Sequence, residues 1–386
     1  MEKILIFQLK GNSIGGIWFV YESLAKELTK QGYDVLVLSF RDNPKPKLIN
    51  EYQPFKMQTV NPKDLWGEVR IANIKEKFKN HKYKEAMELT IKKAKEEFLL
   101  YKDLKKSKKI IKQYNPNYII CAHYEMLAGI PKRYLKKTIM HQHTSFEATL
   151  REQPKAAIYF NKYKNKINKF VWLSEATCEA AKKYGYKNST YIYNPIKFNS
   201  NKSADITKNK KMITVSRLNG PEKRIDLMLD IGKDILKVCP NWSFELYGSE
   251  HLNNNEMEII NSSPQIKLMG ITNKVKETML TASIYISTSY FEGFPLSILE
   301  GYEVGLPVLC YNFGEPSKEL VKDGETGYLI DFNNKKEFEN KLLKLINNPD
   351  ELKKMSNNAK QFAKQFHINI IIKEWIKLFN EIDKEQ

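Results

Sequence analysis

Two glutamates, Glu292 and Glu300, stand eight positions apart in the string Phe291–Glu303, FEGFPLSILEGYE. An apolar run, IYISTS, precedes the string and VGLPV follows it. The run reads as a strand and the stretch from about Pro295 as a helix, so a strand–turn–helix carries both carboxylates. The N-terminus of such a helix offers backbone N–H groups and the positive end of a dipole, which suits a diphosphate. Gly293, Phe294, Pro295, Leu296 and Ser297 would line that approach. A carboxylate one or two turns further on, Glu300, can accept hydrogen bonds from both hydroxyls of a ribose. Two glutamates alone also fit a helix cap and a solvated side chain, so the neighbouring residues must decide.

A second set lies in Ser216–Asp226, SRLNGPEKRID, directly after the strand-like MITV. Arg217, with a planar fork, and Lys223, as a point charge, can converge there on a diphosphate. Taken singly, a basic pair in a loop is more often solvated. A third set is Gly11–Gly16, GNSIGG, between the first strand and the first helix. Glycines there let the backbone approach a phosphate closely, with Gly15 and Gly16 as candidates, although the GxGxxG fingerprint is absent. The fourth is HQH at 141–143, ending a strand. Strand alternation places His141 and His143 on one side, one to serve and one to pack. His123 reads as a structural neighbour. With no carboxylate or cysteine at ligand spacing nearby, neither a metal nor another cofactor is expected.

The elements that must hold these residues alternate short apolar runs with longer amphipathic stretches, the pattern of an α/β chain with parallel sheets. Strands are predicted at Ile4–Phe7, Asp34–Ser39, Tyr118–Cys121, Thr138–His141, Phe170–Leu173 and Thr190–Tyr193. After the polar segment 197–211 they resume at Met212–Ser216, Ser243–Tyr247, Ile266–Met269, Ile284–Ser287 and Val308–Tyr311. Helices are predicted at Trp18–Gln31, Glu175–Tyr184 and near Ile225–Cys239, with consecutive helices over 351–381. Residues 75–113 read as a long helical insert whose lysines form a solvated face.

The string from Phe291 resembles the E-x7-E signature of the family 4 retaining glycosyltransferases, usually written EGFP…LEAMA.GLPV. Gly301 replaces the usual Ala, and Tyr302 and Glu303 replace the following Met-Ala. Ser216–Asp226 is similar to the family's GR(L/F)…KG element, with Ser216 for Gly and Arg224 where Gly is common. Gly15 and Gly16 match its glycine loop, and His143 the histidine aimed at the donor sugar. Gly248, and the Gly270–Thr272 turn with Ile271 and Thr272, match the surroundings of the nucleotide. Asn194-Pro195 and Gly314–Gly327 fit the same frame. The likeness covers nearly the whole chain, densely over 212–330 and thinly over 45–115.

The resemblance implies the GT-B architecture: two Rossmann-like domains facing each other across a cleft. An acceptor-side domain over 1–196, a linker over 197–211, a nucleotide-sugar-binding domain over 212–365 and a C-terminal helix over 366–386 packing back on the first domain are expected. It implies retaining transfer from a nucleotide-sugar donor, with uridine the family-weighted base, onto a glycan or lipid-linked acceptor in envelope polysaccharide synthesis. Glu292, His143, Arg217 and Lys223 would carry catalysis. The metal-binding Asp-x-Asp of the other major glycosyltransferase fold is missing. A sugar-nucleotide epimerase on the same frame remains an alternative, and a basic nucleic-acid-binding protein a remote one without helix-turn-helix, RNP or zinc motif.

Among the 386 residues, 1–200 hold 38 Lys and Arg against 19 Asp and Glu, whereas 201–386 hold 25 against 26. The first half therefore faces something anionic. Residues 155–169 can form a helix with Lys155, Lys162, Lys166 and Lys169 on one face and Ala156, Phe160, Tyr163 and Ile167 on another, amphipathic enough for an anionic membrane surface. Four cysteines without CxxC pairing suggest a reducing compartment. No apolar run spans a bilayer, and the N-terminus reads as a strand and turn rather than a signal peptide. A cytoplasmic protein, peripheral on the inner membrane face, is the expectation.

Overall fold

In the computed structural model, residues 1–11, 16–42, 54–61, 71–218, 220–248 and 252–385 are described. Strands β1 (Lys3–Gly11), β2 (Asp34–Asp42), β3 (Lys56–Thr59), β4 (Tyr118–Cys121), β5 (Thr138–His141), β6 (Lys169–Trp172) and β7 (Ser189–Tyr191) form one sheet in the order β3-β2-β1-β4-β5-β6-β7. Strands β8 (Lys211–Val215), β9 (Ser243–Tyr247), β10 (Ile266–Gly270), β11 (Ile284–Ser287), β12 (Val308–Tyr311) and β13 (Gly327–Ile330) form a second, ordered β10-β9-β8-β11-β12-β13. The described pairings are parallel. Counted from its own first strand, each sheet follows the doubly wound order 3-2-1-4-5-6, the first with a seventh strand added at its edge. The inner strands β4 and β12, with the apolar runs YIIC and VLCY, are buried along their whole length.

By contacts the chain forms two compact units, one of residues 1–142, 153–171 and 378–386, the other of 143–152 and 172–377. In the first unit, helix Gly16–Lys30 buries Trp18, Tyr21, Leu24, Ala25 and Leu28, one face at helical spacing. It ends at Gly32, in the left-handed region with φ 92°. Gly32 N–H bonds to the Thr29 carbonyl and Tyr33 N–H to that of Leu28, a Schellman closure that satisfies the last turn. The final helix, Ile368–Lys384, gives this unit Phe379, which stacks on Tyr118 at 4.6 Å and meets Tyr33 edge-on at 6.0 Å. Tyr118 donates to Asp383, and Lys169 pairs with Glu385 at 2.8 Å.

Three departures from expectation have physical causes. The segment 197–211 is no free linker. Ala204 and Ile206 are buried in the second core, Ala204 N–H bonds to the Val304 carbonyl, and Ser200 N–H to the Glu303 carboxylate. Backbone and side chains both make the attachment, the Asn209 amide donating to the carbonyls of Leu280 (3.1 Å) and Ala282 (3.0 Å). Next, β3 and β13 were not foreseen. The exposed edge strand KMQT carries little apolar signal, and β13 opens on a glycine that reads as a turn. A Cβ at Gly327 would lie 1.9 Å from the Val308 carbonyl oxygen, so the strand itself requires glycine there. Finally, the helix within 155–169 stops at Tyr163, and Ala156, Phe160, Tyr163 and Ile167 are buried. The face expected to meet a membrane is core.

All four cysteines are free and buried. Replacing Phe379 by Ala removes a fully buried ring and should cost the first unit about 3–5 kcal/mol. Urea unfolding followed by circular dichroism checks this, and an unchanged first transition would detach the helix end from that core.

Candidate functional site

In a doubly wound sheet, ligands sit beyond the carboxyl ends of the strands where the connections diverge, here at β8 and β11. The residues leaving those strands are Ser216–Arg224 and Thr288–Leu296, within the second unit. The Thr288 hydroxyl donates to the carbonyls of Lys223 (2.8 Å) and Arg224 (3.1 Å). Tyr290 N–H bonds to the Glu222 carbonyl at 3.0 Å. The two loops are thus tied by the Thr288 hydroxyl and one backbone bond, and Lys223, on the short turn Pro221–Lys223, forms an ion pair with Glu292. Both side chains are largely buried. Arg224 adopts the left-handed region at φ 49°, which is costly for a residue with a Cβ. Its guanidinium bonds to both Asp226 oxygens (3.0 and 2.9 Å) and to Asn333 (3.3 Å), which holds it there without the family's glycine.

Gly293 explains its own residue type. A Cβ on it would lie 2.2 Å from the His143 carbonyl oxygen, so only glycine lets these backbones meet. His143 is thereby brought beside Glu292, although β5 ends at His141 and strand alternation does not extend to it. His143 is half-buried, and loss of solvent pushes its imidazole from 6.5 down to about 3, leaving it neutral. His141 is the packing partner of the pair: buried, it shares a hydrogen bond with Tyr21 at 3.1 Å. Burial likewise lowers His123 to about 4, and its Nδ1 accepts from Glu125 N–H.

Glu300 lies on helix Leu296–Glu303, buried. Desolvation raises its carboxyl from 4.5 to about 7, with the Lys197 ammonium pulling the other way. Gly301 beside it has ordinary room, since a Cβ would sit 3.6 Å from Tyr285, so the departure from Ala is not forced by crowding. Phe294 is buried against Tyr193 (4.9 Å), and its carbonyl accepts from Asn194 at 3.3 Å. Pro295, Leu296 and Ser297, half-buried, form the helix start.

The remaining candidates fall less centrally. Arg217 is exposed and pairs with Glu222 at 3.1 Å, one residue from Lys223. Gly248 N–H bonds to the Gly270 carbonyl (2.9 Å), and a Cβ there would strike the Ser216 carbonyl at 1.8 Å. Ile271 is exposed at the end of β10, and the Thr272 hydroxyl bonds with that of Thr278 (3.2 Å). Gly16 starts the first helix of the other unit, and Gly15 lies outside the described residues. Sequence reasoning missed Lys197, hidden in the apparent linker, and Arg151, whose guanidinium lies 5.6 Å from the Phe291 ring centre. No group of three metal-ligating side chains occurs among the described residues.

The Glu300 shift has a definite sign. A carboxyl raised from 4.5 to about 7 favours the fold fully below pH 4.5, and that contribution is lost as pH rises through 7. Glu300→Gln should therefore be more stable than the parent at pH 8 by on the order of 2–3 kcal/mol, with the gap closing towards pH 5. Thermal melts across that range check it, and a pH-independent gap would contradict it.

Two family models match the chain: Glycosyltransferase Family 4 over residues 14–199 and Glycosyl transferases group 1 over 195–362. An uncharacterized glycosyltransferase of Haemophilus influenzae is 27% identical over 390 residues, covering 97% of this chain and 99% of its own. The poly(ribitol-phosphate) alpha-N-acetylglucosaminyltransferase of Staphylococcus aureus is 25% identical over 283 residues, 70% of this chain and 57% of its own. Anabaena HepE in complex with UDP and glucose has a similar fold, with TM-score 0.73, 18% identity, and 99% and 100% of the two chains covered. A point mutant of S. aureus TarM, in complex with fondaparinux, alpha-GlcNAc-glycerol and UDP, gives 0.71 at 16% identity, over 98% and 100%. With two family models spanning 14–362 between them and a GT-B fold throughout, the chain belongs to the family 4-like glycosyltransferases.

Proposed function

We propose that the chain is a retaining, metal-independent glycosyltransferase. It moves a sugar from a UDP-sugar to a glycan or lipid-linked acceptor of the cell envelope, at the cytoplasmic side of the membrane. The observation that carries this reading is the Lys223–Glu292 ion pair, held beside the His143–Gly293 contact and followed by the buried Glu300. UDP in the HepE and TarM complexes supports the base. The polymer named for the S. aureus relative, and the undecaprenol-linked glycan named for a Campylobacter jejuni relative 24% identical over 233 residues, support the acceptor class.

In this reading the bond from the anomeric carbon to the β-phosphate oxygen breaks while the acceptor oxygen bonds to the same face. The acceptor's proton passes to the departing phosphate. The protein need only position the partners and stabilise charge. Lys223 turns from Glu292 to the diphosphate, Arg217 swings in from Glu222, and the amides at the start of helix Leu296–Glu303 complete the anion site. Glu292, released, binds hydroxyls of the donor sugar. Neutral His143 exchanges a hydrogen bond with the same sugar. Glu300 accepts from the ribose, with Gly248, Ile271 and Thr272 around the base.

Glu292→Ala, Lys223→Ala and Arg217→Ala should each slow transfer about 100-fold or more while the fold persists. UDP-sugar consumption with a panel of acceptors measures it, and full turnover by all three removes the assignment. Because ribose hydroxyls favour the ionised carboxylate, UDP binding near pH 7 should release a fraction of a proton from Glu300. Calorimetry in buffers of different ionisation enthalpy detects the release, which should vanish in Glu300→Gln.

A further inference from the structure

The lysine-rich helix Tyr83–Tyr114 carries more than a solvated charge face. Tyr83, Met87, Ile91, Phe98 and Tyr101 follow one another at steps of four, four, seven and three, which places them on one side of the helix. Each is more than half exposed. Phe78, near the end of helix Ile71–Lys79, is also exposed and meets Tyr83 edge-on at 6.3 Å, extending the patch. The side that packs is a different one, with Ala86, Ser107, Ile110 and Ile111 buried. A contiguous exposed apolar stripe of this kind marks an interaction surface.

The charges around it identify the partner. Glu96 and Asp103 are buried. From Leu99 onward Asp103 is the helix's only acid, whereas Lys102, Lys105, Lys108, Lys109 and Lys112 are exposed. Lys102 and Lys105 lie over the rings of Phe98 and Tyr101, at 4.6 and 4.5 Å, so cation and apolar surface are presented together. The first half of the helix exposes Glu85, Glu88 and Glu97, but from Leu99 onward a parallel second copy would bring like charges to the seam with no exposed acid to answer them. A sheet of anionic headgroups over an acyl layer answers both features at once.

We propose that Phe78 and the exposed stripe of helix Tyr83–Tyr114 form a docking surface for an anionic lipid bilayer. The helix lies in the interface, with rings and Met87 entering the headgroup–acyl boundary and the lysines contacting lipid phosphates. It does not cross: among the described residues no helix is long and apolar enough. The surface rests on the membrane-side reading given above, but none of these residues belongs to the donor site, so UDP affinity tests that site separately.

The test is cosedimentation of the full chain with vesicles of phosphatidylglycerol and phosphatidylcholine, or of phosphatidylcholine alone. Binding is expected only with the anionic lipid and should weaken as salt is added. The triple variant Met87→Glu, Ile91→Glu, Phe98→Glu should lose about tenfold or more in partitioning, as should Lys102→Glu, Lys105→Glu, Lys109→Glu. Both should keep the parental circular dichroism and UDP affinity. Undiminished binding by the apolar variant would overturn the proposal in favour of charge alone. No binding by the parent would overturn it too, as would a parental dimer that the apolar variant dissolves, which assigns the stripe to a second copy.

Discussion

A parallel sheet wound in two directions has one place where neighbouring strands send their connections to opposite sides, and nothing in the sheet closes over it. In the second unit that place falls between β8 and β11. The backbone groups leaving these strands have no ladder to continue, so they are satisfied across the gap by a side-chain hydroxyl and by one another. Thr288 bonds to the turn at Lys223 and Arg224, and Tyr290 to Glu222. Lys223 is set against Glu292 because those loops are tied, and Gly293 can touch His143 because it has no side chain. Any change that separated β8 from β11 would scatter all of these at once.

The two glutamates of the motif meet different surroundings. Glu292 is buried with a cation, so its charge is answered directly. Glu300 has a lysine in its field and little solvent, and burial prevails, holding its carboxyl near half-protonation at neutral pH. An uncompensated carboxylate would be costly at either position. The site offsets one by an ion pair at Glu292 and by burial with partial protonation at Glu300. In the function proposed above, a nucleotide-sugar exchanges both arrangements for its own phosphates and hydroxyls.

Much of this was legible in the sequence because the signals were local. Apolar runs such as YIIC and VLCY could only be buried strands, and FEGFPLSILE carried its turn and helix start within ten residues. What escaped depended on partners distant in the chain. Lys197 looks like linker until Glu300 is packed near it. Arg151 gains meaning only from Tyr290 and Phe291. Glu222, not singled out in the sequence, pairs with Arg217. Amphipathicity was the most ambiguous signal. It states that a helix has an apolar side but not what covers it, which is why the face of Ala156 and Phe160 proved to be core while that of Met87 and Phe98 stayed open.

The four thiols give the molecule a built-in reporter. Cys121 and Cys178 are pushed up to about 12 and 11 by burial, and Cys239 and Cys310 are raised for the same reason. Almost no nucleophilic sulfur is available in the native state at neutral pH. Cys121 ends a strand in the first sheet and Cys310 lies in a strand of the second. Alkylation of one or the other would thus time the opening of each unit separately, with no label introduced.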